Sequence, residues 1–228
     1  MKLGIILTPD VRSKAYLQKC IKNNLQFETV IFMNDRRIEK EFDQDVIELS
    51  KEFNFDITES VCNTLKQYSI DYIEFPFVDI NDQRLIDYLK NLKIDYIVFT
   101  GGGILREEIL SLEMKFIHLH PGIVPDYRGS TCFYYSILNE SYAGVTSFIM
   151  DKTLDTGNII FQKRFEMPNH KYLDEIYDPH IRSETLVEIL KNKSMIEETI
   201  RQDKDRGETY FIIHPVLKHI AILKCING

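Results

Sequence analysis

The sequence predicts an α/β fold with a mainly parallel, twisted sheet that is flanked by helices. Apolar runs of strand length alternate with amphipathic helical segments over the first hundred residues. The apolar run at 94–100 continues directly into three glycines at 101–103, which is typical of a strand that ends in a tight turn. With 228 residues and 44% hydrophobic residues, the chain is long enough to bury a substantial core.

Each predicted element follows from local patterning. Strands are predicted where β-branched and apolar residues run together up to a turn, at 3–8, 29–33, 70–77, 94–100 and 116–120. Helices are predicted where apolar residues recur three or four positions apart, at 13–24, 46–53, 58–68 and 82–92. Thr58 is the expected N-cap of the third helix. Strands that alternate with helices form βαβ units, so the predicted plan is Rossmann-like.

The second half of the chain has a different pattern. A helix is expected near 130–138, two strands at 145–151 and 158–164, and a longer helix at 181–201. The apolar segments 210–213 and 216–223 follow. We expect one domain with a small C-terminal extension, a helix and an apolar tail over 166–228 that either packs on the core or forms a contact in a homodimer.

Composition excludes several classes of function. The net charge of −7 disfavours a general nucleic-acid binder, which needs a basic surface. No apolar run approaches the ~18–20 residues that a membrane span needs, so we expect neither a nucleic-acid nor a membrane partner. The four cysteines lie far apart and form no CxxC pair, which favours a reducing cytoplasm over an oxidising compartment.

Candidate site residues lie where the predicted strands end. His118 and His120 alternate along one strand, so their side chains share a face about 6–7 Å apart. Asp155 lies in a turn between two strands, where it is either a functional carboxylate or an ordinary turn residue. Arg128 could hold a substrate anion or lie in an exposed turn. The glycines at 101–103 do not form GxGxxG, so a dinucleotide site is poorly supported, but they would let a ligand approach the backbone.

The segment from His118 to Gly129, HLHPGIVPDYRG, resembles the Asn-x-His-Pro-Ser-x-x-Pro-x-(Tyr/Phe)-Arg-Gly segment of formyltransferases that use 10-formyltetrahydrofolate. The stretches GVT at 144–146 and MDKTLDTGNII at 150–160 are similar to two further motifs of that family. Upstream, GGIL at 102–105 and EIL at 108–110 resemble its folate-side loop and the helix that follows. The resemblance covers about residues 1–165 in architecture and about 100–162 in motif, and it implies that residues 1–165 form the catalytic core.

This resemblance implies attack by an amine on the formyl carbon, through a tetrahedral oxyanion. It assigns His120 to oxyanion stabilisation and proton handling, and Asp155 to orienting His120 and raising the pKa of its imidazole. His118 occupies the position of the family's catalytic Asn, and Gly122 that of its usual Ser. An imidazole N–H can also donate to the oxyanion, but unlike an amide it titrates and can serve as a base.

The resemblance also implies binding roles for residues outside this trio. The expected residues for the donor 10-formyltetrahydrofolate are Gly101, Gly102, Gly103, Ile104, Leu105, Asp151 and Thr153. The expected residues for the amine substrate are Gly122, Tyr127 and Arg128.

Three alternatives stay open at this point. The family includes enzymes that act on methionyl-tRNA, glycinamide ribonucleotide and amino sugars; the acidic chain and the motif details favour a small-molecule amine, a nucleotide-linked amino sugar. His118, His120 and Asp155 could instead be a two-His, one-carboxylate metal centre of a hydrolase or oxygenase. The third alternative is a catalytically inactive protein that binds folate or a nucleotide.

Overall fold

The structure is a computed structural model that describes residues 1–101 and 103–227, and the chain divides into two compact units, Met1–His118 and Leu119–Gly228. The division falls within strand β5. The predicted boundary at residue 165, between the core and the C-terminal part, stays a prediction.

The first unit has a parallel sheet with helices in the connections. Its strands are β1 (Leu3–Leu7), β2 (Thr29–Met33), β3 (Ile73–Phe75), β4 (Tyr96–Phe99) and β5 (Lys115–His120), in the order β3-β2-β1-β4-β5. Every neighbouring pair among these five strands is parallel. The connecting helices are α1 (Val11–Lys22), α2 (Gln44–Glu52), α3 (Val61–Gln67), α4 (Gln83–Leu89) and α5 (Glu107–Leu110). The predicted α/β fold with a mainly parallel sheet is confirmed.

Burial explains why these segments become central strands. All five residues of β1 are buried, and β1 pairs on both sides, Ile5 with Val30 of β2 and with Val98 of β4. A strand that lies between two others and is covered on both faces needs a continuous apolar run rather than alternation. The sequence LGIIL supplies that run.

The predicted start of the third helix is wrong. Thr58 donates from both its backbone N and its Oγ1 to Asp56 Oδ1, so it belongs to the turn before the helix. The N-cap is Ser60, whose hydroxyl accepts a hydrogen bond from the backbone N of Asn63. Two hydroxyl residues lie two positions apart here, and the carboxylate of Asp56 decides which of them caps the helix.

The second unit contains two separate pairs of strands. β7 (Tyr142–Ile149) and β8 (Ile159–Glu166) are antiparallel, whereas β6 (Tyr127–Gly129) and β9 (Glu208–Tyr210) form a short parallel pair. Its α-helices are α6 (Cys132–Glu140), α7 (Asp178–Lys191) and α8 (Pro215–Asn227). A π-helical turn, Leu173–Tyr177, precedes α7, and a 3₁₀ turn, Lys193–Ile196, follows it.

The C-terminal part departs from the sequence prediction in two respects. The helix expected to reach residue 201 ends at Lys191, and after the 3₁₀ turn Ile200 forms an isolated antiparallel bridge with Ile159 at the start of β8. The apolar tail is only partly buried, since Phe211 and Ile212 are each 80% exposed. Among the helices of the described residues, none combines the length and apolar character needed to cross a membrane.

Candidate active site

His120 lies at the end of β5 and is almost fully buried, with 1% of its surface exposed. Its ring Nε2 lies 2.9 Å from the backbone carbonyl oxygen of Tyr127. A carbonyl oxygen only accepts hydrogen bonds, so Nε2 carries the proton and donates it to this bond. Nδ1 therefore faces the other side of the ring, toward Asp155.

Asp155 approaches His120 from the loop between β7 and β8. Its Oδ2 lies 3.4 Å from His120 Nδ1 and accepts a 2.7 Å hydrogen bond from the backbone N of Gly129. Asp155 has φ of +53°, a left-handed conformation that Asp tolerates better than most residues. Asp155 is therefore both a turn residue and the carboxylate that faces His120. The structure brings together the two residues to which the resemblance assigned catalytic roles.

Burial lowers the pKa of His120 below its ordinary value. The nearby carboxylates of Asp155 and Asp178 act in the opposite direction, and the cation of Arg182 adds to the lowering. Asp155 does act to raise the imidazole pKa, as expected. Its effect is smaller than that of burial, which removes the ring from water and lowers the pKa. The neutral imidazole is the favoured form.

Gly122 makes room for this arrangement. A Cβ at this position would lie 2.8 Å from His120 Nε2, 2.7 Å from the carbonyl oxygen of Tyr127 and 2.8 Å from Cys132 Cβ. Gly122 therefore supports the hydrogen bond between His120 and Tyr127 and packs behind it. Its predicted contact with the substrate stays a prediction.

Tyr127 and Arg128 make internal contacts. Tyr127 is buried, its hydroxyl donates to Glu140 Oε1 at 2.6 Å, and burial together with Glu140 raises its pKa. Arg128 is 7% exposed, and its guanidinium donates to the backbone carbonyls of Pro125, Lys204 and Arg206. This geometry argues against the predicted anion-binding role of Arg128, because its donors are directed to the main chain.

Asp151 and Thr153 belong to the same loop as Asp155. Asp151 Oδ1 accepts from Thr153 N at 3.0 Å and from Thr156 Oγ1 at 2.9 Å, and Asp151 Oδ2 lies 3.0 Å from Lys204 Nζ. These are the contacts of a residue that organises its own loop. A role of Asp151 and Thr153 in binding the donor stays a prediction.

The predicted glycine turn belongs to the first unit. Gly101 is buried, and a Cβ there would lie 2.7 Å from the ring of Phe99. Gly103 has φ of +111°, Ile104 is 76% exposed, and Leu105 is buried. Gly102 lies outside the described residues. The segment after the glycines is held by a residue that the sequence analysis did not single out: Asn81 donates to the carbonyl oxygen of Ile104 and accepts from the backbone N of Arg106.

His118 is half-buried on β5, in the first unit, two residues before His120. Across residues 1–101 and 103–227, no group of three or more His, Cys, Asp or Glu side chains is placed to hold a metal ion. The alternative of a metal centre formed by His118, His120 and Asp155 thus gains no support from the positions of these side chains.

Two further contributors were missed by sequence reasoning. Asp178 and Arg182 form a buried ion pair with 2.7 Å between Oδ1 and Nε, and Arg182 also donates to the carbonyl oxygen of Leu119, next to His120. The helix predicted at 181–201 included Arg182 but began after Asp178, so their spacing of four residues did not stand out as a helical pair. The second contributor is Gln202, which donates from Nε2 to the carbonyl oxygens of Asp155 and Gly157. No local pattern pointed to Gln202.

The protein is thus an α/β protein with a Rossmann-like parallel sheet, and it contains a buried imidazole that faces a turn carboxylate. The family model described as "Formyl transferase" matches residues 13–188. This chain belongs to the formyl transferase family.

Individual relatives agree with that assignment. The chain is 31% identical over 225 residues to a methionyl-tRNA formyltransferase of Clostridioides difficile, a match that covers 95% of this chain and 66% of the relative. A sugar N-formyltransferase of Shewanella is similar in structure, with a TM-score of 0.60, 16% identity and coverage of 99% of this chain and 88% of the other. An N-formyltransferase of Helicobacter canadensis, solved with folinic acid and dTDP-3-aminofucose, is similar with a TM-score of 0.61 and 17% identity. That match covers 100% of this chain and 81% of the other.

The structural similarity, at these identities, concerns the fold. The first curated relatives are longer than this chain, which covers 33% to 66% of their lengths.

Proposed function

We propose that this protein transfers a formyl group from 10-formyltetrahydrofolate to the amine of a nucleotide-linked amino sugar. The observation that carries the proposal is the buried contact between His120 and Asp155, set in the family's sequence motifs. Formyl transfer between amines needs a proton carrier and a hydrogen-bond donor near the reacting carbonyl, and an imidazole beside a carboxylate can provide both.

The proposed reaction conserves atoms and charge. The amine nitrogen of the acceptor attacks the formyl carbon, and the C=O electron pair becomes an oxyanion. When the oxyanion collapses, the bond from the formyl carbon to N10 of the folate breaks. The attacking amine loses one proton and N10 gains one, so a group that first takes up and then returns a proton completes the cycle.

His120 is suited to that task in its neutral form. Its Nε2–H donates to the carbonyl oxygen of Tyr127 in the structure, so the imidazole has to exchange this partner for the formyl oxygen when it stabilises the oxyanion. Asp155 faces the opposite ring nitrogen and stabilises the imidazolium that forms when His120 takes up a proton.

The predicted donor loop of the first unit has, by itself, features that suit a folate. Ile104 presents an exposed apolar side chain, Gly103 adopts a conformation with positive φ, and Asn81 fixes the backbone on both sides of Leu105, the next residue. An exposed apolar side chain on an anchored loop suits contact with the flat ring system of a folate.

Charge favours an amino sugar over a tRNA as the acceptor. A tRNA is a polyanion, and a chain with a net charge of −7 gains little from long-range attraction to it. The Helicobacter canadensis protein, moreover, was solved with an amino sugar linked to dTDP.

An acceptor screen tests the proposal. The protein is incubated with 10-formyltetrahydrofolate and a panel of nucleotide-linked amino sugars, with glycinamide ribonucleotide and methionyl-tRNA as comparison acceptors, and each acceptor is analysed by mass spectrometry. We expect a formylated amino sugar. Formylation of tRNA alone would overturn the proposed acceptor, and tight folate binding without any transfer would identify an inactive binding protein.

A further inference from the structure

We propose that Gln202 is a positioning residue that holds Asp155 in place against His120. The proposal rests on the function proposed above, but its argument starts from a separate segment of the chain. That segment, residues 199–210, follows the 3₁₀ turn after α7 and is called the strap below. Within the second unit, the strap contacts the backbone of Asp155 at one end and, at the other end, β6, which donates to the Asp155 carboxylate.

The strap begins with a fixed main-chain contact. Ile200 and Ile159 exchange two backbone hydrogen bonds of 2.7 and 2.8 Å, which attach the strap to the first residue of β8. This bridge places Gln202, two residues further on, beside the loop that carries Asp155.

Gln202 is 5% exposed, and its amide nitrogen has two acceptors. Nε2 donates to the carbonyl oxygen of Asp155 at 3.1 Å and to that of Gly157 at 2.6 Å. Both protons of a primary amide are thereby used, and the amide cannot be flipped without pointing its oxygen at two carbonyl oxygens. Gln202 thus fixes the backbone on both sides of Thr156.

That backbone needs an external hold. Asp155 has positive φ, which costs free energy for any residue other than glycine. At Gly157 the loop passes so close to the end of β7 that a Cβ would lie 1.6 Å from the carbonyl oxygen of Ile149. The hydrogen bonds from Gln202 stabilise this conformation, and in it Oδ2 of Asp155 faces His120 Nδ1.

The far end of the strap holds the other partner of Asp155. β9 pairs with β6, and the backbone N of Ser130 donates to the carbonyl oxygen of Tyr210 at 2.8 Å. This fixes Gly129, whose backbone N donates to Asp155 Oδ2. One segment therefore positions the backbone of Asp155 through Gln202 and the donor to its carboxylate through β9.

The contact can be tested through the titration of the His120 imidazole. The charged groups that act on His120 are Asp155, Asp178 and Arg182, and Asp155 also acts on the neighbouring thiol of Cys132. Of these groups, Asp155 alone is held by Gln202 among the contacts of the described residues. Displacement of Asp155 removes an influence that raises the pKa of His120, so the pKa falls further.

The experiment is a mutant cycle read by NMR on the full chain. Gln202→Met keeps the length of the side chain without its donors, and it is compared with Asp155→Asn and with the double variant. The imidazole resonances of His120 are titrated in each, after assignment with His120→Gln. We expect Gln202→Met to lower the midpoint in the same direction as Asp155→Asn, and to add nothing in the Asp155→Asn background.

Turnover supplies the second readout. If the wild-type protein transfers formyl groups, Gln202→Met should lower kcat on the order of 10- to 100-fold with a smaller change in KM, the scale expected for a misplaced catalytic group. Gln18→Met is the matched control, because Gln18 also donates to a backbone carbonyl, that of Asp56, in the first unit. The control should lower Tm without moving the His120 titration or kcat.

Three results decide the proposal. An unchanged His120 midpoint in Gln202→Met would overturn it, whatever happens to Tm. So would a shift of the midpoint by Gln202→Met that is equal in the wild-type and the Asp155→Asn protein. If Gln202→Met does not fold, Gln202→Asn, which keeps the amide one methylene shorter, should give a smaller shift of the same sign, and no shift would overturn the proposal. Absence of formyl transfer by the wild type would overturn the proposed function but leave the NMR result to decide the role of Gln202.

Discussion

The carboxylate of Asp155 and the imidazole of His120 meet at 3.4 Å, although 35 positions separate the two residues in the sequence and each is held by a different neighbour. The ring is held by the carbonyl oxygen of Tyr127, and the carboxylate by the backbone N of Gly129. Both of these neighbours belong to β6. A strand of three residues thereby sets the relative position of the two groups that we propose carry out the chemistry.

The first prediction concerns the carboxylate. Asp155→Asn keeps the size of the side chain but removes the charge that stabilises a protonated His120, so turnover should fall by roughly 10²–10⁴-fold, the range typical of general acid–base catalysis. Steady-state kinetics and circular dichroism measure turnover and folding in parallel. Asp174→Asn, which removes an exposed carboxylate paired with Lys218, is the control and should keep full activity. Full activity in Asp155→Asn would show that Asp155 is only a turn residue.

The second prediction concerns acid stability. Burial lowers the pKa of His120 in the folded protein, so the unfolded state binds more protons between that lowered pKa and the ordinary value of about 6.5. The free energy of unfolding should therefore decrease as the pH falls from about 7 toward 5. Urea unfolding at several pH values measures the slope.

His170 also contributes to the pH dependence of the free energy of unfolding, and it supplies a control. Burial also lowers the pKa of His170, so His170→Gln should remove part of the pH dependence and His120→Gln another part. A free energy of unfolding that is the same at pH 7 and pH 5 would contradict the buried neutral state of His120.

The third prediction concerns Gly122. Gly122→Ser restores the residue that is usual in the family motif but places a Cβ within 3.0 Å of three atoms, one of them His120 Nε2. We expect a loss of about 1–3 kcal/mol of stability, the cost typical of overpacking a buried site. Gly4→Ala is the matched control, because its Cβ would make contacts of 3.4 Å. Equal thermal stability of Gly122→Ser and wild type would show that the contact with His120 is not tight.

The fourth prediction concerns the buried ion pair beside the site. Arg182→Met leaves the carboxylate of Asp178 buried without its cation and removes the donor to the carbonyl oxygen of Leu119. The expected cost is about 3–5 kcal/mol, since an isolated buried charge is far less favourable than a paired one. The double variant Asp178→Leu/Arg182→Met should recover part of that loss in chemical unfolding. A double variant less stable than Arg182→Met would contradict this account.

The sequence was sufficient for features that depend on local patterning. The parallel strands of the first unit, with β1 as the clearest case, could be predicted because a strand covered on both faces is apolar throughout. His120 and Asp155 could be proposed because they lie in long motifs at strand ends. Thr58 shows where local patterning fails, since the choice between two nearby hydroxyls depends on one carboxylate contact.

Residues that act through distant contacts could not be predicted. The carbonyl partners of Arg128 on the strap lie 76 and 78 residues further along the chain, so its sequence neighbourhood fits a surface arginine equally well. Gln202 contacts a loop 45 to 47 residues before it, and nothing in its own neighbourhood distinguishes it from an exposed glutamine. Such roles follow from the way the strap returns to β6 and β8.

The central claim is that formyl transfer takes place at the pair formed by His120 and Asp155. The most direct measurement follows labelled formyl groups from 10-formyltetrahydrofolate to nucleotide-linked amino sugars, with wild type and Asp155→Asn assayed side by side. The account predicts a labelled amide product with the wild type and nearly none with the variant, while both proteins bind the folate equally. Equal product from both proteins, or folate binding without product from the wild type, would contradict it.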